Sequence, residues 1–114
     1  MVYKIGNLAD LRKLPLVDDA TMALLYHHAR TLSAEYGENR NVNESDGGFV
    51  LYFEPGTNIN DLKAFFDISK HTVEYVNTYG SLCEAYYLLN NDFVVVIVMS
   101  IDDAPTEIRN EIDK

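Results

Sequence analysis

Residues 72–101 read TVEYVNTYGSLCEAYYLLNNDFVVVIVMSI. Three runs rich in aromatic and β-branched residues are separated by Gly80-Ser81 and Asn90-Asn91, pairs that accept the positive φ of a tight hairpin. The chain is therefore expected to fold around three antiparallel strands, 72–79, 82–89 and 93–101. Two-residue loops fix the register, and the register fixes which side chains share a face. On this reading Tyr75, Asn77, Tyr79, Glu84, Tyr86, Val95 and Ile97 stand on one face, while Val76, Cys83, Ala85, Tyr87, Val94, Val96 and Val98 stand on the other. The last run, FVVVIVM at 93–99, is apolar on both faces and has to be central, because as an edge it would template aggregation.

Residues 49–54 (FVLYFE) run into a Pro55-Gly56 turn and read as the strand that shields that edge. Numbering the four strands along the chain, the expected order in the sheet is 2-3-4-1. Upstream the period is helical. Asn7 caps a short helix carrying Leu8, Leu11 and Leu14, which Pro15 ends. A longer helix begins at Asp18 or Asp19 and stops at Gly37, with Met22, Leu25, Tyr26, Ala29, Leu32 and Tyr36 on one face. Asn58 caps another short helix, and a last one follows Pro105. The expected fold is α+β, a two-layer, four-stranded, mainly antiparallel sheet in the element order α-α-β-α-β-β-β-α, forming one domain over residues 1–114. Residues 37–48 (GENRNVNESDGG) are too polar for a core and read as one exposed loop.

The 114 residues hold 9 Lys and Arg against 18 Asp and Glu, a net charge of −9. Residues 1–41 are balanced, so the excess lies in 42–114. That sign is wrong for a protein that neutralises phosphates, and direct nucleic-acid binding is not expected. A hydrophobic fraction of 47% excludes a disordered acidic tail. One cysteine cannot form an internal disulfide, and no stretch reaches the ~18 apolar residues of a membrane span. A cytoplasmic location without membrane contact is the expectation. No residue spacing calls for a metal or a cofactor.

Glu84 attracts a chemical reading. It lies mid-strand, opposite Asn77 and close to Tyr75, Tyr79, Tyr86 and Ile97, in what should be an apolar layer. A carboxyl there is desolvated and its pKa raised, which is how a general acid is made. The competing expectation is that Asn77 and Glu84 mark where the sheet extends beyond its helices, so that both are wet. His71, at a helix-to-strand junction, is a second acid/base candidate, with a helix C-terminal cap as its competing role. His27 and His28 diverge by about 100° on a helix and are expected to be surface or boundary residues. Cys83 has no basic neighbour and reads as an inert small apolar group.

The leading expectation is a non-enzymatic protein-interaction or regulatory module that binds a protein partner or itself. A homodimer through the face carrying Val76, Tyr87, Val94, Val96 and Val98 is its specific form if all helices cover one side of the sheet; the competing expectation is that the long N-terminal helix lies on that second face itself. The alternative is a small-ligand-binding domain or enzyme with a pocket lined by Tyr75, Asn77 and Tyr86 and Glu84 as its acid or base. A further alternative is an acidic inhibitor of a DNA-binding protein.

Overall fold

A computed structural model describes residues 1–38, 47–89 and 93–114. The fold is α+β, with a five-stranded mixed sheet that is mostly antiparallel. Its strands are β1 (Val2–Ile5), β2 (Gly48–Phe53), β3 (Tyr75–Tyr79), β4 (Leu82–Leu88) and β5 (Val94–Ser100), in the spatial order β1-β2-β5-β4-β3. The expected order of four strands is present within it, β5 being central and shielded by β2. What the sequence reading lacked is β1, a four-residue edge strand too short to show a period. The β2–β5 pair is parallel; every other pair is antiparallel.

The helices divide between the two faces, so the sheet is sandwiched rather than covered on one side. Helix α1 (Asp19–Tyr36) lies on one face, where Leu25 and Ala29 meet Ile5, Val50, Tyr52, Val96 and Val98. Asp18 caps it by accepting the Thr21 N–H. Tyr26 and Tyr36, expected on its buried stripe, are exposed instead. The opposite face is closed by 3-10 turns at Ile59–Ala64 and Ile68–Lys70 and by the short helix α2 (Thr106–Ile112). These bring Leu62, Phe66 and Ile108 onto Leu51, Phe53, Cys83, Ala85, Tyr87, Val95, Ile97 and Met99. Asn7 and Asn58 cap 3-10 turns where α-helices were expected.

The second hairpin departs from expectation by one residue. Leu88 pairs with Val94 and Tyr86 with Val96, and the Leu89 N–H donates to the Phe93 carbonyl. Three residues, not two, therefore lie between Leu89 and Phe93, and a single-residue slip exchanges the faces of a whole strand. Val94, Val96 and Val98 consequently share the α1 face with Glu84 and Tyr86, whereas Val76 and Tyr87 stand on the other. The proposed dimer face does not exist as one surface, and helices cover both halves of it. The Asn90-Asn91 turn and most of the 37–48 loop lie outside the described residues.

Gly48 opens β2 at φ +134, and a Cβ there would stand 2.0 Å from the Val94 carbonyl oxygen. This close approach falls at the first pair, Gly48 with Val94, of the parallel β2–β5 ladder. Gly48→Ala is expected to cost at least ~2 kcal/mol, read as a lowered urea midpoint. The Tyr87 hydroxyl is buried and has no hydrogen-bond partner among the described residues. Tyr87→Phe removes that unmet group, and the same titration should report stabilisation of about 1 kcal/mol.

Candidate functional site

Helix α1 turns one arc toward the sheet, and Thr21, Leu25, His28 and Leu32 recur on it at three- and four-residue spacing. Three are apolar or buried, and the fourth is an imidazole. Opposite it stands Glu84 on β4, which is only 1% exposed. His28 Nε2 is hydrogen-bonded to Glu84 Oε2, with 13% of the histidine side chain exposed. Asn77 Nδ2 donates to the other carboxylate oxygen, Oε1, at 3.4 Å, and the Tyr86 hydroxyl donates to the same atom at 3.3 Å. The Tyr75 ring stacks on Tyr86, centroids 4.4 Å apart and planes within 14°. Helix, central sheet and edge strand thus converge on one carboxylate.

Burial alone pushes the Glu84 carboxyl up, but the hydrogen bond and charge of His28, with Asn77 and Tyr79 adding to them, outweigh it. The net shift is downward, so Glu84 is a held carboxylate and not the raised general acid expected from sequence. Nor is it wet. Burial together with the charge of Glu84 pushes the Tyr86 hydroxyl up, which keeps it a donor. A carboxylate that fixes one ring nitrogen of a histidine orients the ring and leaves the other nitrogen, Nδ1, for chemistry elsewhere. His28 Nδ1 has no hydrogen-bond partner among the described residues.

His28 and Tyr86 also line a cleft of about 270 Å³ between α1 and the sheet. His27, Thr31 and Leu32 form its helical wall, and Phe49, Val50, Val94 and Val96 its apolar floor. The Thr31 hydroxyl donates to the His27 carbonyl at 3.1 Å, which occupies it as a helix hydrogen bond. A second hollow of about 430 Å³ at the other end of α1 includes Asp18 and Glu54. Both carboxylates are already engaged, Asp18 by the Thr21 N–H and Glu54 by the N-terminal ammonium.

Of the expected pocket residues only Tyr86 lines the cleft between α1 and the sheet; Asn77 hydrogen-bonds Glu84 and Tyr75 stacks on Tyr86, both outside the cleft lining. His71 does not join them: it is the C-terminal cap of the Ile68–Lys70 turn, exposed, and stacked on Phe66 at 4.5 Å. Cys83 is buried on the opposite face, where burial pushes its thiol up to about 11. His28 is a boundary residue, as expected, but its pairing with Glu84 was not foreseen. The signal for it was a single ionisable group on the buried arc of α1, matched by a single carboxylate in an apolar stripe of β4.

No group of three or more metal-ligating side chains converges among the described residues, and none of their helices is long and apolar enough to cross a membrane. No family model, curated protein or solved structure matches the chain.

His28→Leu strands the buried carboxylate and should cost about 3 kcal/mol at neutral pH, whereas the double variant H28L/E84L should recover most of that loss. The folded-state pKa of Glu84 lies below its ordinary value of 4.5, so its contribution is present above that value and is lost as pH falls through the folded one. Urea midpoints measured from neutral to acid pH should therefore fall more steeply for the wild type than for Glu84→Gln.

Proposed function

We propose that this chain is a small-ligand-binding domain, and that the ligand sits in the α1–sheet cleft with its polar group on His28. The supporting observation is the abutment of an apolar cleft on a histidine whose orientation is fixed from behind by a buried carboxylate. Such pockets are mostly hydrophobic, with a few placed polar groups that set orientation. A volume of about 270 Å³ suits a compact, largely apolar molecule, and an available ring nitrogen suits one carrying a hydroxyl, which can either donate or accept. Glu84 in this reading positions His28 and does not itself meet the ligand. Among the described residues the cleft wall offers two histidines and a threonine whose hydroxyl is already engaged, which favours holding a ligand over cleaving a bond.

Phenol and toluene, which differ chiefly in the polar group, are suitable probes. Methyl NMR should show saturable shifts at Leu32, Val94 and Val96 with phenol and weaker binding of toluene, and Thr31→Phe, which fills the cleft from its exposed rim, should abolish both. Phenol shifts that fail to saturate by about 10 mM, or that persist in Thr31→Phe, would overturn the proposal.

A further inference from the structure

The two edges of the sheet are unlike. Strand β1 has four residues and carries Lys4, the kind of charge that guards an edge against pairing. Strand β3 is Tyr75-Val76-Asn77-Thr78-Tyr79, with no charge, no proline and high strand propensity, and both its tyrosines are about half exposed. It pairs with β4 on one side only; α2 packs against it, yet no other backbone hydrogen bond reaches its outer edge among the described residues.

The direction of its free groups follows from the ladder. The bonds Leu89 N–H to Phe93 and Ile101 N–H to Ser81 flank the β4–β5 pairing and place the odd-numbered residues of β4 with their backbone toward β5. The even-numbered residues then face β3, so Tyr75, Asn77 and Tyr79 bond inward and the N–H and C=O of Val76 and Thr78 point out. Glu74 N–H turns back to the Tyr86 carbonyl at 2.8 Å, which closes the open run at its start.

We propose that β3 is a self-pairing edge, through which two copies of the chain join β3 to β3 antiparallel about Asn77. The run is symmetric about that residue: tyrosines at both ends, then the near-isosteric Val76 and Thr78. In a two-fold pairing Val76 meets Thr78 of the second copy across the outward backbone groups, Asn77 meets Asn77, and each Tyr75 meets a Tyr79. Aromatic pairs across strands are stabilising, and an isologous interface requires this kind of self-matching. Each copy carries −9, yet no like charges are set opposite each other within the five residues. The absence of carboxylates in the run also argues for a second copy over a basic foreign strand.

Sedimentation equilibrium from about 20 µM to about 1 mM should show a monomer–dimer equilibrium. The dimer fraction should rise as sodium chloride is raised to about 0.5 M, since salt screens the shared net charge. Thr78→Pro removes an outward N–H without touching the β4 ladder, and Thr78→Lys places a charge on the edge. Each should weaken dimerisation at least tenfold while the urea midpoint shows the fold retained; should T78P fail to fold, T78K carries the test. A monomer throughout, or a dimer indifferent to T78K, would overturn the proposal.

Discussion

Strand β5 is apolar on both faces, and this constraint organises the molecule. A run of valine, isoleucine and methionine with no polar face has to be covered above and below and flanked on both sides. Each requirement is met by a different part of the chain. Strands β2 and β4 flank it, α1 covers one face, and the 3-10 turns with α2 cover the other. The parallel β2–β5 pair follows from the same need, and Gly48 is where the backbones come too close for a side chain.

Where α1 passes from the valines of β5 to the neighbouring strand, the cover changes from apolar packing to a hydrogen-bonded pair. His28 and Glu84 are each costly to bury alone, and together they tie the helix to β4 at one register. Conformational specificity of this kind explains why a carboxylate stands in an apolar stripe. It also fixes one edge of the cleft, so that the pocket wall and the helix docking share a single interaction.

Much of this was legible in the sequence. The central position of 93–99, the mutual order of the four expected strands and the first hairpin register follow from hydrophobic period and turn chemistry, and the pairing that sets Asn77 opposite Glu84 follows with them. The rest failed for identifiable reasons. Asn90-Asn91 resembles a two-residue turn, but the flanking pairs enclose three residues, and parity then moved three valines to the other face. Val2–Ile5 consists largely of strand-forming residues, but four residues are too few to show a period, and its place is settled by pairing with β2. His28 was set aside because adjacent histidines do not share a metal, an argument about ligation that says nothing about a carboxylate 56 residues away.

The topology also sets the order of assembly. The strand at the middle of the sheet is the last of the five in the chain, and it inserts between β2 and β4, which have no contact to make until it arrives. Two half-sheets must wait with open edges for a single late strand, so the folding nucleus is non-local and the contact order high. Folding on the millisecond-to-second scale typical of such topologies leaves those edges exposed for longer than a helical domain of this length would.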